Sequence, residues 1–443
     1  MVKTIGFGFK KLNIEFNIIQ KKIFFVVFSI LIFRIGSCIP IPGIDTTVLS
    51  KFFHRNNGTI LEMLNMFSGG ALNRASIFSL GIMPYISSSI IVQLLTLIVP
   101  YFSDIKKEGD SGQRKLNRYI RYLTLLLATI QSIGFVVGLP NIPGINHLVI
   151  EKNCYFYLTA MFSLVTGTIF LMWLGELITD YGVGNGISLI IFTGIISSIP
   201  SSILYTINQL NQSCLSFLFF MIVILLIFVI TYLVVFVEKS QRKITIHYGK
   251  QQKGRKLYAV QNTHLPLKVN IAGVIPAIFA SSVVLFPATM LTWFGIGKHW
   301  SFALIISEYF RPNSCIYLLV YSISIFLFCF IYTGLVFNVR ETSDNLKKSG
   351  AFIPGIRPGE QTSRYVSKII MRLTLIGSVY IVFICLIPEL MRTFLKVSFY
   401  FGGTSLLIVV VVIIDFINHL QTLALSNRYK SMLKKSNLNF IKD

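Results

Sequence analysis

Charged side chains inside the apolar segments are the first candidates for chemistry in this chain, and they are few. Arg34 and Asp415 lie deep within such segments, whereas Glu176 and Glu389 lie near segment ends. An ion-coupled transporter is expected to concentrate carboxylates or histidines near the middle of the membrane. Because these charges are sparse, we interpret Arg34 and Asp415 as a structural pairing within a helix bundle rather than as an ion-coupling site.

The sequence also lacks the motifs of common enzymes. It contains no G-x-x-x-x-G-K-[ST] loop, no H-E-x-x-H helix and no G-x-S-x-G elbow, so ATPase, metalloprotease and serine hydrolase machinery is not visible. The glycine-rich stretch 182–186 joins two apolar segments and is interpreted as a hinge. The six cysteines are scattered singly, which indicates neither a metal site nor redox chemistry. We therefore predict that the protein is not an enzyme, has no metal or cofactor, and draws energy from a partner.

One sequence pattern occurs twice. The frame Gly-x-x-Pro-x-Ile begins at Gly81 and again at Gly273, and small or hydroxyl residues follow it in both places. Apolar segments interrupted by Gly and Pro at corresponding places in two halves point to a translocation path between two repeats. The alternative is a coincidence between two apolar strings, since Ile, Val and Ser are common in membranes.

Branched apolar residues follow each of these interruptions. Ile82 and Ile86 are one helical turn apart, and Ile278 holds the place of Ile86 in the second copy. A pore lined by such side chains resists water, and hydrophobic constrictions can gate by dewetting. An aliphatic lining suits a varied or extended substrate better than one small solute.

The composition requires a membrane to accommodate these segments. Of the 443 residues, 54% are hydrophobic and 13% are charged, which is more apolar material than one soluble core can bury. The fold class is therefore predicted to be an all-α polytopic membrane protein with ten transmembrane helices, each about 20 residues long. The predicted spans are 23–42, 76–100, 119–139, 154–175, 185–208, 215–238, 270–293, 315–337, 370–390 and 399–420.

Basic residues are distributed unevenly among the loops. Lys and Arg outnumber Asp and Glu by 40 to 17, and 31 of the basic residues fall in alternate loops and the two termini, against eight in the remaining loops. This positive-inside pattern predicts that both termini are cytoplasmic. With five spans per half, the second half enters the membrane in the opposite sense, as an inverted-topology repeat.

These patterns divide the chain into four parts. We expect a cytoplasmic N-terminal segment 1–22, an N-terminal half 23–208, a C-terminal half 209–420 and a cytoplasmic tail 421–443. Residues 1–22 are polar and basic, and no small-x-small cleavage site follows them, so a removable signal peptide is not predicted.

A short apolar stretch, 59–67, lies between the first two spans and is flanked by Asn and Gly. Its apolar residues share one helical face, while Glu62 and Asn65 are costly in contact with lipid. We interpret it as a half-helix too short to span. It can lie inside the protein or along a watery cavity, or it can rest on the outer surface as an amphipathic helix.

Two predicted cytoplasmic loops, 239–268 and 338–372, are long and basic. Loops of this length are functional or disordered, and their composition favours order. Two Pro-Gly pairs predict turns that hold Arg357 at a stiff tip. The alternative is simple attraction of both loops to anionic lipid headgroups.

Six stretches of the sequence together resemble the SecY/Sec61-alpha family, whose bacterial members form the channel subunit of the Sec translocon. These stretches are 33–45, 65–72, 263–270, 345–352, 354–362 and 401–408. The resemblance spans almost the whole chain and weakens in the first 20 residues and the outer loops. It implies ten helices in two halves, with a re-entrant plug half-helix at about 58–70. It also implies a channel that passes unfolded secretory proteins and releases membrane proteins laterally.

The resemblance also implies roles for individual residues. The pore ring falls on Ile82, Ile86, Ile187, Ile191, Ile278 and Ile408. The plug comprises Ile60, Leu61, Glu62, Met63, Leu64, Asn65, Met66, Phe67, Gly69 and Gly70. The lateral gate includes Ser87, Ser282 and Phe286. The docking surface for the SecA ATPase and the ribosome includes Lys250, Arg255, Lys256, Arg357, Pro358 and Gly359.

Further partners are implied by the family alone. They are the SecE and SecG subunits, signal peptides, and nascent or preprotein chains. The charge of the basic loops adds anionic phospholipid as a partner. The implied location is the bacterial cytoplasmic (inner) membrane. Competing interpretations are a secondary transporter for a small solute, since inverted repeats with broken helices are common there, and a membrane insertase or lipid-bound scaffold.

Overall fold

The computed structural model of the chain is mainly helical. It describes residues 2–55, 65–66, 68–141, 153–211, 217–248, 252–253, 256–257, 262–298, 314–395 and 403–440. The helices are α1 Val2–Gly36, α2 Thr46–Arg55, α3 Met83–Ile98, α4 Pro100–Lys107, α5 Asp110–Gly138, α6 Cys154–Tyr181, α7 Gly186–Asn211, α8 Phe217–Lys239, α9 Ile275–Lys298, α10 Cys315–Val336, α11 Val339–Lys348, α12 Glu360–Leu395 and α13 Gly403–Phe440. The strands are β1 Gln241–Tyr248, β2 Gln252–Lys253, β3 Lys256–Leu257, β4 Asn262–Lys268 and β5 Ala351–Phe352.

Each of the ten predicted spans overlaps a helix of 16 residues or more. These helices are α1, α3, α5, α6, α7, α8, α9, α10, α12 and α13. Within the described residues, α5, α6, α8, α10, α12 and α13 contain stretches long and apolar enough to cross a membrane. A seventh candidate is the pair α3 and α4, which is bent by 98°. The bend occurs at Val99, whose backbone is extended, and Pro100 then starts α4, where its missing N–H costs no helical hydrogen bond.

The chain divides into two compact units. The first comprises Met1–Tyr205, Phe286–Arg311 and Val412–Asp443, and the second comprises Thr206–Leu285 and Pro312–Val411. The boundary between the N-terminal and C-terminal halves, which the sequence places between residues 208 and 209, stays a prediction.

The first unit contains a close backbone approach between α6 and α7. A Cβ atom on Gly186, the first residue of α7, would collide with the carbonyl of Gly175 in α6. Glycine permits such an approach because it has no side chain. In the same unit, Arg121 of α5 donates from Nε and Nη2 to the carboxylate oxygens of Glu176 in α6, at 3.0 and 2.7 Å.

A buried hydrophobic cluster holds the segment after α1, the segment that precedes α3, and parts of α5 and α6 together. Its members are Ile41, Ile44, Leu49, Leu72, Ala75, Phe135, Val136, Leu139, Phe156, Ala160 and Leu164. Backbone hydrogen bonds add to this packing, since Ile41 N–H donates to the Ala75 carbonyl at 2.8 Å and Ile77 N–H donates to the Ile39 carbonyl at 3.1 Å. The segment 71–77 is therefore fixed by both apolar packing and backbone pairing.

In the second unit, the two long basic loops share one small sheet. Its strand order is β4-β1-β5, with β1 antiparallel to β4 from Gln241↔Lys268 to His247↔Asn262 and to β5 at His247↔Phe352. Ile244 of β1 is buried in a cluster that includes side chains from β4 and α12. The described parts of both loops have regular structure, as their composition suggested, although no strands were predicted there.

Candidate functional site

The two copies of the Gly-x-x-Pro frame adopt the same local structure. Gly81 and Gly273 both have left-handed backbones, with φ of +58° and +62°, a conformation that glycine adopts without steric cost. Two residues later a helix begins in each copy, and Pro84 and Pro276 occupy its second position. Proline is tolerated there because the first helical N–H groups have no partner within the helix. The repeat seen in the sequence is therefore also a repeat of backbone geometry.

In the first unit, four predicted ring residues lie at or near the starts of α3 and α7. Ile82 immediately precedes α3 and accepts from Ile86 N–H at 3.1 Å, and both side chains are buried, at 5% and 6% exposure. Ile191 in α7 is buried as well. Ile187 is half-buried, and its Cγ1 lies beside Gly175 of α6.

The second unit contains the other two ring residues. Ile278 in the first turns of α9 is 7% exposed, and Ile408 in α13 is fully buried. The Ile278 carbonyl accepts from the hydroxyls of Ser281 and Ser282, at 2.9 and 2.8 Å. These bonds give both serine hydroxyls a hydrogen-bond acceptor within α9, so neither is left unsatisfied in an apolar setting. The assembly of one ring from both units stays a prediction.

The predicted gate residues lie on the two repeat helices. Ser87 of α3 is half-buried and Ser282 of α9 is buried, whereas the side chain of Phe286 lies outside the described residues. Next to Ser87, the hydroxyl of Ser88 is 2.6 Å from that of Thr124 in α5. This buried hydrogen bond couples α3 to α5 beside the predicted gate.

The predicted plug is only partly described. Residues 60–64 and 67 lie outside the described residues, while Asn65 and Met66 form the end of a helical turn. Gly69 and Gly70 follow with φ of +71° and +83°, and their N–H groups donate to the carbonyls of Met66 and Asn65 at 3.2 and 2.8 Å. The Asn65 side-chain oxygen accepts from Asn73 N–H at 2.9 Å. The chain thus reverses tightly as it leaves the plug segment.

Arg34 contacts this reversal, whereas its pairing with Asp415 stays a prediction. Its Nη1 donates to the Gly69 carbonyl at 3.1 Å. The same carbonyl accepts from Ser197 Oγ of α7 at 3.1 Å. The hydrogen bond that the structure shows for Arg34 therefore goes to a backbone carbonyl rather than to a carboxylate, because the glycine turn presents an acceptor beside α1.

The predicted docking surface is described at its second loop. Lys250 and Arg255 lie outside the described residues, and Lys256 is in β3 with its side chain undescribed. The side chain of Arg357 is exposed and its carbonyl accepts from Thr362 Oγ1 at 2.9 Å.

The turns predicted from the two Pro-Gly pairs are present around that arginine. Gly355 and Gly359 have φ of +79° and +109°, and the Gly359 carbonyl accepts from Ser343 Oγ of α11 at 2.7 Å. Arg357 and Pro358 thus lie on a turn tied to two helices.

Other polar contacts escaped the sequence analysis. Glu238, at the end of α8, is buried and accepts from Asn270 Nδ2 at 2.6 Å, while Asn270 Oδ1 accepts from Gly273 N–H at 3.2 Å. This arrangement fixes the left-handed turn ahead of α9. The position of a carboxylate at the end of an apolar segment was the available signal for Glu238, but nothing local indicated its partner.

A model of the SecY family matches residues 76–417 of the chain. The chain belongs to the SecY family. The protein translocase subunit SecY of Buchnera aphidicola subsp. Schizaphis graminum is 62% identical over 439 residues, covering 99% of this chain and 100% of that relative. The protein of the same name from Escherichia coli (strain K12) is 59% identical over 438 residues, covering 99% of each chain.

Solved SecY-family structures have a similar fold. One, described as a protein conducting channel, gives a TM-score of 0.66 at 19% identity and covers 92% of this chain and 93% of its own. A second, on the SecY plug domain as a stabiliser of the closed channel and its membrane seal, gives 0.65 at 19% identity with the same coverage. Sec61 in a canine ribosome-channel complex gives 0.63 at 18% identity, again with that coverage. Identities this low are informative about the fold alone.

Family membership confirms the resemblance found in the sequence and the predicted fold class of a polytopic helical membrane protein. The curated relatives carry the name of a protein translocase subunit. The interpretation as a secondary transporter for a small solute therefore has no support from them.

Proposed function

We propose that this SecY-family chain is the central protein-conducting channel of a Sec translocon. It passes unfolded secretory proteins across the membrane and releases membrane proteins laterally into the lipid. The observation that carries this function is the repeated glycine turn, present at Gly81 and Gly273 with nearly equal φ, each leading into a buried isoleucine one turn inside a helix. Such paired helix breaks are typical of a translocation path, and aliphatic linings are typical of a water-resistant constriction.

In the proposed channel, the six isoleucines form the ring and residues 58–70 form the plug that closes it on the outer side. Ser87, Ser282 and Phe286 lie along the gate through which apolar segments leave. The plug assignment is supported by the tight reversal at Gly69 and Gly70, which returns the chain from a short segment to α3. The membrane is the bacterial cytoplasmic membrane, with both termini on its cytoplasmic side, as the distribution of Lys and Arg favours.

The proposed partners supply what this sequence lacks. No phosphate-binding loop is present in the sequence, so the SecA ATPase or a translating ribosome provides the driving force at the basic loops. SecE and SecG complete the membrane complex, and anionic phospholipid lies beside the basic loops. The support for docking is the ordered, basic surface that β1, β4 and β5 create by joining both long loops.

A stalled secretory chain tests the channel function. A photoreactive crosslinker in the stalled segment should react with positions 86 and 278. It should not react with Ile130, which is exposed on α5 and is expected to face lipid. Crosslinks to Ile130 at the same yield, or none to the two ring positions, would contradict the proposed path.

Substitution of Arg357 by Lys tests specific docking. Arg357 is presented from a turn with little backbone freedom left to lose on binding, and its planar guanidinium makes paired hydrogen bonds that Lys cannot reproduce. We therefore expect Arg357→Lys to impair SecA-driven translocation of a preprotein into vesicles, although the net charge is unchanged.

The control for this substitution is Arg340→Lys, an equally conservative change at an exposed position of α11. If the loops only sense anionic lipid, each basic residue contributes about 1 kcal/mol regardless of its type, and both variants should be as active as the parent. Full activity of Arg357→Lys at equal channel abundance would therefore favour lipid attraction over docking.

A further inference from the structure

The carbonyl oxygen of Gly69 is held from two sides by side chains of the first unit. Arg34 Nη1 of α1 and Ser197 Oγ of α7 each donate to it at 3.1 Å. The single Ser197 hydroxyl hydrogen is shared between this carbonyl and the Gly194 carbonyl in its own helix, which lies 2.8 Å from Ser197 Oγ. One backbone acceptor thus connects the plug segment to two helices that are distant in sequence.

Glycine suits position 69 because of its backbone conformation and its close approach to α7. Its φ of +71° lies in the left-handed region, which disfavours other residues. A Cβ atom would come within 3.0 Å of the Gly194 Cα and 3.1 Å of Ser197 Oγ. The backbone of the plug segment therefore approaches α7 closely enough for a short serine side chain to reach it.

The Gly69 carbonyl lies between the plug segment and the segment 71–77, which is fixed to the rest of the first unit. Beyond Gly70, the chain is fixed, because Ala75 and Ile77 pair with the segment after α1 and Leu72 is buried in the hydrophobic cluster. Gly69 and Gly70 both have left-handed backbones and form the turn that connects this fixed segment to Asn65 and Met66. A change of conformation at these two glycines can move the plug while residues 71–77 stay in place.

We propose that Arg34 and Ser197 form a clasp that holds the plug closed by binding the Gly69 carbonyl, and that both are positioning residues of the channel. This inference rests on the proposed function of residues 58–70 as the plug. A charged side chain within a membrane-spanning helix requires a polar partner, and hydrogen bonds from a guanidinium are about twice as strong as neutral ones. Departure of the plug takes the Gly69 carbonyl away from Arg34, so the closed position is favoured until a substrate displaces the plug.

Hydrogen exchange of the full chain, assembled with its partner subunits in lipid nanodiscs, tests the clasp. Exchange of the Gly69 and Gly70 amides should accelerate about tenfold in Arg34→Gln, equivalent to about 1.4 kcal/mol of opening free energy. Ser197→Ala should give a smaller acceleration, since it removes the neutral donor. Arg34→Lys should restore part of the protection, because it keeps a charged donor.

Two features of the chain serve as controls. The amides of Ile41 and Ile77, which pair across the fixed segment, should exchange at the parent rate in every variant. Ser198→Ala removes a neighbouring hydroxyl that donates to the Ile195 carbonyl at 2.8 Å, and it should leave exchange at Gly69 unchanged.

Parent-like exchange at Gly69 and Gly70 in Ser197→Ala and in every Arg34 variant that assembles would overturn the clasp. An equal acceleration at Ile41 and Ile77 would also overturn it, because the effect would then be general loosening. If Arg34→Gln does not assemble with the partner subunits, the exchange rate of the Gly69 amide in Ser197→Ala tests the clasp by itself. Hydrogen exchange at Gly69 does not depend on whether residues 58–70 seal a pore. Sealing is measured separately, by the conductance of a variant that lacks the plug. The clasp proposal and the plug proposal can therefore be contradicted independently.

Discussion

Deletion of residues 59–67 is expected to give a protein that folds and inserts but conducts ions at rest. The deleted stretch is too short to cross a membrane, so the helices do not depend on it as a scaffold. The neighbouring segment 71–77 is anchored separately, through Ile41, Ile77 and the buried cluster. Loss of the plug then leaves only the isoleucine ring to exclude water and ions. The measurement is single-channel conductance of the partner-bound protein in planar bilayers, without substrate.

An equally long deletion in another predicted outer loop, 142–150, is the control. It removes residues at which the family resemblance is weak, and it should leave the resting conductance at the parent level. Parent-like conductance after deletion of 59–67 would contradict the plug assignment. The same increase in both deletions would show that shortening any outer loop disturbs the seal.

Substitution of Ile86 and Ile278 together by Ser is expected to raise water and ion permeability strongly. The two side chains are 6% and 7% exposed and hold equivalent places in the two repeat copies. Two hydroxyls in a narrow aliphatic constriction lower the barrier to wetting. The effect should be measured as the swelling rate of proteoliposomes and as conductance, both normalised to inserted channel.

The control pair for this experiment is Ile120→Ser with Ile381→Ser. Ile120 is buried in a cluster with Val92, Ile105 and Leu116, and Ile381 is fully buried in α12. Both pairs of substitutions remove buried apolar side chains, at a cost of a few kcal/mol each, but only the first pair lies in the predicted ring. Equal permeability changes in the two double variants would indicate general damage rather than loss of a constriction.

Local features explain why much of this protein is readable from its sequence. The spans follow from hydropathy, because every backbone polar group in lipid must be satisfied within a helix. The breaks before α3 and α9 follow from Gly81 and Gly273, which adopt left-handed backbones, and from prolines that are tolerated in a first helical turn. The turns around Arg357 follow in the same way from their Pro-Gly pairs. In each case the cause acts within a few residues of its effect.

The sequence by itself determined the membrane class, the ten helices and the repeated Gly-Pro break before α3 and α9. Its six characteristic stretches also determined the family. Only the tertiary structure decided which distant groups meet. It placed Arg34 on the Gly69 carbonyl, Asn270 on the carboxylate of Glu238, and Phe352 opposite His247 so that two loops share one sheet. A polar side chain in an apolar environment needs a partner, but its own residue type does not specify that partner. The choice among many backbone and side-chain acceptors is made by the packing of helices and strands that are far apart in the chain.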